Sequence, residues 1–246
     1  MSFLLGLTGS IGMGKSTTAQ LFADRGCKIW DADSTVHRAY SKNGMAVTVI
    51  AKIAPGAVLQ GAVDRAKLRA LISQDASLLP KLEAIIHPLV KQDRYAFIAN
   101  NPKSILVFDI PLLFELNSQT DFDAVACVML SFEAQKSRVL ARSGMTEEHF
   151  EMIRSKQWPA EKKAAEADYI IDTTSLETAA QAVDAILKDI KKRQRNGEEQ
   201  NVLLAKRCSM RHRSIGWKAE DEQSLLNVLA SAGNRSQEEE MDFEYC

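Results

Sequence analysis

The 246-residue chain has few cysteines, little net charge and no long apolar run. Its cysteines have neither the paired spacing of metal ligands nor the density of a secreted disulfide scaffold, which favours reduced thiols in a cytoplasm. The formal net charge of -1 gives no global electrostatic reason to bind nucleic acid or a membrane surface. No apolar stretch approaches the ~18 residues that a membrane-spanning helix needs. We therefore expect a cytoplasmic protein without nucleic-acid or membrane partners, in an oligomeric state that the sequence leaves open.

Short apolar segments alternate with helical ones along most of the chain, which is 46% hydrophobic and 26% charged. Because the segments are apolar on both faces, they predict an α/β fold in which helices cover both sides of a parallel sheet. The predicted strands are residues 3–8, 27–33, 104–114, 124–130 and 168–173.

A glycine-rich stretch, "GLTGSIGMGKST" at residues 6–17, follows the first predicted strand. Gly9, Gly14, Lys15 and Ser16 fit the Walker A pattern, in which backbone N–H groups cradle phosphates. A helix that begins near Lys15 would direct its positive dipole end at the same point. Lys15 would reach the outer phosphates and the Ser16 hydroxyl would bind Mg2+. The stretch predicts a nucleoside-triphosphate site.

The second predicted strand ends in "DAD", which places two acids beside the Walker A loop. On an extended strand, Asp31 and Asp33 would face the same side. A carboxylate there would accept a proton from an attacking hydroxyl and orient it toward the γ-phosphate, and Asp33 is the preferred candidate. The alternative is that these acids only cap the helix that follows.

Two helical insertions and a charged tail interrupt the alternation. Residues 35–100 are interpreted as a helical insertion without a convincing strand, and residues 132–163 as a second one with Ser131 and Thr146 as helix caps. From residue 194 to residue 246 the sequence is of mixed charge and carries no motif. We expect this extension to be solvated and partly disordered rather than a functional module.

Arg138 and Arg142 are four residues apart in the second insertion. They would lie on one face of the predicted helix and form a cationic fork over a transferring phosphoryl group, with Arg154 joining from the next helix. The alternative is that they are solvated surface arginines.

Six motifs occur in a specific order within residues 3–190. They are "GLTGSIGMGKST", "DAD", "VDRAKLR" (63–69), "IIHPLV" (85–90), "DIPLLFE" (109–115) and "ADYIIDT" (167–173). The set resembles the dephospho-CoA kinases, the P-loop enzymes of the last step of coenzyme A biosynthesis. The resemblance implies a three-layer P-loop kinase fold over residues 1–193, in which the first insertion binds the acceptor and the second forms a lid.

The resemblance also implies a reaction, the transfer of the ATP γ-phosphate to the ribose 3′-hydroxyl of dephospho-CoA, with Mg2+ present. It implies that Asp33 is the catalytic base and that the lid arginines are Arg138 and Arg142. The implied ATP-binding residues are Gly12, Met13, Gly14, Lys15, Ser16 and Thr17. The implied acceptor-binding residues are Thr8, Asp33, Arg65 and His87. Asp109 resembles a Walker B acid, which would bind Mg2+ through water while Ser16 binds the same ion. Its strand position also permits a plain structural role.

Several alternatives remain at this point. His87, expected at a turn between two helices, could satisfy a buried backbone group instead, and Arg65 could lie in water on a helix that Asp64 caps. Thr173 and Thr174 stand where the family commonly has asparagine and glycine, so the adenine contact is left open. The rival functions are a kinase for a nucleotide or another small metabolite, and a nucleotide-dependent switch or binding module.

Overall fold

The computed structural model describes the backbone of residues 2–213 and the side chains of residues 2–196. The chain divides into two units after residue 187, and apart from the C-terminal part of α9 the features below lie in the first. The strands are β1 Phe3–Thr8, β2 Lys28–Asp31, β3 Val58–Leu59, β4 Ala62–Val63, β5 Ile105–Asp109, β6 Ala124–Met129 and β7 Tyr169–Asp172. The helices are α1 Lys15–Asp24, α2 Ala32–Tyr40, α3 Val47–Ile53, α4 Arg65–Gln74, α5 Leu78–Ala99, α6 Phe132–Leu140, α7 Glu147–Arg154, α8 Ala160–Glu166 and α9 Leu176–Arg213.

The main sheet has five parallel strands in the order β2-β5-β1-β6-β7, which confirms the predicted α/β class and all five predicted strands. β5 is shorter than predicted, because the ladder stops near Pro111, which has no N–H to donate. β1 is central, so the loop that follows it opens at the carboxyl edge of the sheet, where open α/β folds bind ligands.

Helix α1 begins and ends where the sequence predicts. It starts at Lys15 after Gly14, whose φ of 84° is in the left-handed region that favours glycine. At its other end, Gly26 donates to the carbonyl of Ala23 and Cys27 donates to that of Phe22, a Schellman motif. The glycine loop is therefore joined rigidly to a regular helix that packs on the sheet.

Helices α2 to α5 have a hydrophobic core of their own. Its buried residues are Ala39, Ala46, Val47, Ile50, Ala54, Ala57, Val63, Leu68, Leu82 and Ile86. The expectation that this region lacks strands is wrong, because β3 and β4 form a short antiparallel hairpin. Its two turn residues, Gln60 and Gly61, both have positive φ, as a type I′ turn requires.

The expected turn before Pro88 is also wrong, since α5 continues through this proline. A proline inside a helix costs one backbone hydrogen bond, but Leu82 and Ile86 on the preceding turns are buried in the core described above. Burial of this face holds α5 together as one helix of 22 residues.

The second insertion forms α6, α7 and α8, with Ser131 and Thr146 as the N-caps of the first two, as predicted. Helix α9 continues through residue 194 as far as Arg213. The remaining residues of the predicted extension, 214–246, lie outside the described residues. Among the helices of residues 2–213, none is long and apolar enough to cross a membrane.

Candidate active site

Two carboxylates and a lysine meet at the carboxyl edge of the sheet, and a third carboxylate, that of Asp33, lies in the helix that follows β2. Asp31 and Asp109 are register partners at the ends of β2 and β5. Lys15, the first residue of α1, forms an ion pair and hydrogen bond with Asp109. The structure thus brings the Walker A lysine together with the predicted Walker B acid.

Asp109 is only 3% exposed, and this burial raises the pKa of its carboxyl group. The Lys15 ammonium opposes the rise in pKa, whereas the negative charges of Asp31 and Asp33 add to it. Asp31 is the register partner of Asp109, and Asp33 follows two residues later in the first turn of α2. The site is an acidic cluster whose charge is balanced in part by Lys15.

The geometry expected for the two acids of "DAD" is wrong. β2 ends at Asp31, and the chain turns directly into α2, so Asp31 and Asp33 are not on one extended strand. Asp31 is the N-cap of α2, and its Oδ1 accepts a hydrogen bond of 2.5 Å from the Ser34 N–H. Asp33 lies exposed in the first turn of α2. The capping alternative is therefore confirmed for Asp31. Among the described residues, no hydrogen bond or ion pair engages the carboxylate of Asp33.

The glycine loop is packed closely against its surroundings. A Cβ atom on Gly12 would lie 2.3 Å from Val139 Cγ2 in α6, and the φ of Gly12 is 77°. Glycine is thus required at this position both by its backbone angle and by the space available. The backbone N–H groups near Lys15 then remain accessible to an anion at the start of α1.

Side chains from outside the motif hold the loop in place. The Ile11 carbonyl accepts from Gln135 Nε2 at 2.8 Å, and the Ile11 N–H donates to Gln157 Oε1 at 3.1 Å. The Thr173 hydroxyl lies 2.8 Å from the Met13 carbonyl and 3.0 Å from the Met129 carbonyl. Sequence reasoning missed these roles, because uncharged side chains at large sequence separation carry no pattern.

Arg138 and Arg142 line one cavity of about 330 Å³ together with the glycine loop. Arg138 donates to the carbonyls of Thr173 at 2.8 Å and Thr174 at 3.2 Å, which joins α6 to the segment after β7. The other lining residues are Gly12, Gly14, Thr17, Thr18, Thr173, Ser175, Leu176 and Ala179. Both arginines are therefore placed beside the candidate nucleotide site.

Arg154 does not join this pair. Its guanidinium donates to Glu151 at 2.9 Å and lies 5.0 Å from the Phe132 ring centroid. It lines a different cavity, of about 390 Å³, on the Ser10 and Met13 side of the loop.

The predicted acceptor residues are more dispersed. Thr8 is fully buried, and its hydroxyl donates to the Pro111 carbonyl at 3.2 Å. Arg65 begins α4, where its charge lowers the pKa of Tyr40 although burial raises that pKa overall. His87 is exposed on α5. Among the described residues, no hydrogen bond or ion pair joins Arg65 or His87 to the glycine loop or to the acidic cluster.

A buried ion pair connects the second insertion to the segment after β5, and sequence reasoning missed it. Lys163 of α8 is fully buried and lies 2.8 Å from Glu115 Oε1 and 3.0 Å from the Pro111 carbonyl. Glu115 Oε1 also accepts from the Trp158 N–H at 2.7 Å. Glu115 belongs to the "DIPLLFE" motif, but the motif alone does not indicate its partner.

The sheet order, the glycine loop that ends in Lys15 and Ser16, and the arginine-lined cavity together define a P-loop kinase. The family model of the dephospho-CoA kinases matches residues 3–178, and the chain belongs to this family.

Relatives of known name and structure agree with this assignment. A dephospho-CoA kinase of Ruegeria pomeroyi is 52% identical over 78% of this chain and 97% of its own length. Another, from Mesorhizobium japonicum, is 50% identical over 76% of this chain and 96% of its own. A Thermus thermophilus protein of known structure is 30% identical over 76% of this chain and 97% of its own, with a TM-score of 0.69. A dephospho-CoA kinase from Campylobacter jejuni, 23% identical with a TM-score of 0.56, covers 79% of this chain and all of its own and shares the fold.

Proposed function

We propose that this protein transfers the γ-phosphate of ATP to the 3′-hydroxyl of the ribose of dephospho-CoA, giving coenzyme A and ADP. The observation that carries the proposal is the ion pair between Lys15 and Asp109 at the carboxyl edge of the sheet, with Asp33 two residues after Asp31, the register partner of Asp109, in a chain of the dephospho-CoA kinase family. Phosphoryl transfer to an alcohol needs a cation for the phosphates and a base for the hydroxyl proton. This edge of the sheet supplies both.

Asp33 is proposed as the base. Its carboxylate is exposed in the first turn of α2, near Asp109 but free of the capping bond that engages Asp31. A carboxylate in this position would accept the proton of the 3′-hydroxyl and hold the oxygen in line with the γ-phosphate. Repulsion between Asp33 and the phosphates also disfavours an idle acid here, which supports a role in positioning the nucleophile.

The ATP phosphates are proposed to bind the loop from Gly12 to Thr17. Its N–H groups and the dipole of α1 provide the cradle, and Lys15 would exchange its contact with Asp109 for the outer phosphates. Arg138 and Arg142 would then add positive charge from α6 as charge develops in the transition state.

Ser16 and Asp109 fit a magnesium ion, since hard cations prefer hydroxyl and carboxylate oxygens. Among the described residues no three His, Cys, Asp or Glu side chains form a metal-binding group. That suits Mg2+, which is held by one or two carboxylates together with substrate phosphates rather than by a protein cage. The buried Asp109 carboxylate already has a cation, Lys15, beside it. When bound, the ion would neutralise charge on the β- and γ-phosphates.

The acceptor is proposed to lie between the acidic cluster and the helical insertion. Arg65 offers a cation at the start of α4, and His87 offers an exposed imidazole on α5. Thr8 is buried at the end of β1, so it would act by holding the Pro111 carbonyl and the segment after Asp109. A cytoplasmic location stays a prediction from the sequence.

The experiment is to measure ADP formation by the purified chain with ATP and Mg2+. Dephospho-CoA is compared with nucleoside monophosphates, simple metabolite alcohols and no acceptor, and coenzyme A is identified in the product. Turnover with dephospho-CoA alone would establish the reaction. Turnover only with another acceptor would reject the proposed substrate and keep the kinase class.

A further inference from the structure

Asp93, on α5 and far from "DAD" in the sequence, is hydrogen-bonded to both elements that meet at that motif. Its Oδ1 accepts from Trp30 Nε1 at 2.7 Å, from Thr35 Oγ1 at 3.1 Å and from an Arg38 guanidinium nitrogen at 3.1 Å. Trp30 is the last residue of β2 before Asp31, and Thr35 and Arg38 belong to α2. One carboxylate thus bridges the strand and the helix on either side of the catalytic turn.

Two of the three residues that donate to Asp93 are buried. Trp30 and Thr35 are each 4% exposed, and the Thr35 hydroxyl also lies 3.0 Å from a second acceptor, the Asp31 carbonyl. The Trp30 indole N–H has Asp93 as its acceptor, and an N–H that loses its partner in a buried position destabilises the arrangement around it. The Trp30 ring also lies 5.8 Å from the Phe108 ring of β5, which fixes the indole against the sheet.

Asp93 is held in its charged form. Burial raises its pKa, but hydrogen bonds from Trp30, Arg38 and Thr35 outweigh this effect and hold the pKa of the carboxyl group below its usual value. A charged acceptor binds these donors roughly twice as strongly as a neutral one. The bridge is therefore strongest in the ionised state that prevails near neutral pH.

The position of Asp33 follows from this bridge. Asp33 lies in the first turn of α2, between Trp30 on one side and Thr35 on the other. Its own side chain is exposed, and the other contacts that hold the turn are local to Asp31: its capping bond, its pairing with Asp109, and a 3.0 Å hydrogen bond from the Thr35 hydroxyl to its carbonyl. An in-line attack tolerates little displacement, since a shift of about 1 Å can lower a rate 10²-fold.

We propose that Asp93 is a positioning residue that orients Asp33 for proton abstraction by fastening the end of β2 and the start of α2 to α5. The inference rests on the proposed function, in which Asp33 is the base. The same helix, α5, also carries His87, the proposed acceptor contact. Acceptor binding and alignment of the base would then depend on one helix.

The test is a double-mutant cycle between Asp93→Asn and Asp33→Asn, with coenzyme A formation as the readout. Asp93→Asn in the wild-type background is expected to lower kcat about 10- to 100-fold, and to leave the KM for ATP within about twofold. If Asp93 acts through Asp33, the same substitution in the Asp33→Asn background lowers the residual rate by less than about twofold. Equal losses in both backgrounds would overturn the inference, because they would show a general structural effect.

Trp30→Phe is the second variant, since it removes a single donor and leaves Asp93 in place. It is expected to reproduce a smaller loss of kcat with the same dependence on Asp33, even if Asp93→Asn folds poorly. Full activity in both single variants, Trp30→Phe and Asp93→Asn, would overturn the inference. Asp121→Asn is the matched control. It removes the negative charge that pairs at 2.7 Å with Arg94, a residue of α5 like Asp93, and it should leave kcat unchanged.

Failures at different levels are distinguishable. Absence of wild-type turnover with dephospho-CoA contradicts the proposed function, and full activity of Asp33→Asn contradicts the assignment of the base. Loss of activity in Asp33→Asn combined with full activity in Asp93→Asn contradicts only the positioning role.

Discussion

The glycine loop and the β2–α2 turn face each other at the same edge of the sheet, yet they are specified in different ways. The loop takes its shape from glycines such as Gly12 and Gly14, whose positive φ angles are local properties of the backbone. The turn takes its position from Asp93, on a helix far along the chain. A phosphate cradle can thus be encoded in a short motif, whereas the placement of a base depends on the tertiary structure.

The two regions should also fail differently when they are altered. In the proposed reaction the loop binds the nucleotide in the ground state and in the transition state, so a change there is expected to affect both ATP affinity and turnover. The turn is proposed to act on the acceptor hydroxyl, so a change there is expected to affect turnover alone. Five substitutions test this difference, from the largest expected effect to the smallest.

Asp33→Asn is expected to lower kcat by about 10²- to 10⁴-fold, the usual contribution of a general base. ATP affinity, measured by titration calorimetry, should not fall, because the amide retains the size of the carboxylate and removes its repulsion toward the phosphates. Asp24→Asn at the exposed end of α1 is the matched control and should keep full turnover. A parallel loss of ATP affinity in Asp33→Asn would remove the distinction between the two regions.

Lys15→Ala is expected to lower kcat by about 10²- to 10³-fold, comparable to the loss of one strong transition-state donor. It should also weaken ATP binding and lower the thermal unfolding midpoint, because the buried Asp109 carboxylate loses its partner. Lys28→Ala, at an exposed position in β2, serves as the control for removal of a lysine. Unchanged ATP affinity in Lys15→Ala would show that the loop backbone alone holds the phosphates.

Local signals in the sequence were sufficient for the loop and for the five strands. Glycine spacing, helix caps such as Ser131 and Thr146, and alternating apolar segments are all read over a few residues, and the structure confirms them. Pro88 was misleading because burial of α5 in the insertion core outweighs the loss of one backbone hydrogen bond. Tertiary packing is not visible in the local pattern.

The same limit explains the errors within the site. The sequence predicts that "DAD" is extended, with both acids on one face of a strand. In the structure Asp31 caps α2, and the helix begins at the next residue. The contacts of Asp93, Gln135 and Thr173 join segments far apart in sequence. No spacing rule brings such residues together before the fold is known.

Substitutions of Arg138 and Arg142 are expected to differ, because only the first should change the KM for ATP as well as kcat. Arg138→Gln removes the hydrogen bonds to the Thr173 and Thr174 carbonyls, so it should raise the KM for ATP and lower kcat about tenfold. Arg142→Gln is expected to lower kcat to a similar degree with little change in KM, because among the described residues no hydrogen bond or ion pair engages its guanidinium. Steady-state kinetics of both variants with varied ATP test this, and identical profiles would contradict it.

Thr173→Val should have the smallest effect. It tests whether the glycine loop keeps its shape without a contact from outside its motif. The substitution keeps the shape of the side chain and removes the hydroxyl that lies between the Met13 and Met129 carbonyls. Loss of a buried hydrogen bond of this kind costs about 1–3 kcal/mol of folding free energy, measurable by urea denaturation. The KM for ATP should rise only a few-fold, and Thr173→Ser should restore both values. A loss of turnover as large as that of Lys15→Ala would mean that the loop, like the β2–α2 turn, depends on a remote contact for its working geometry.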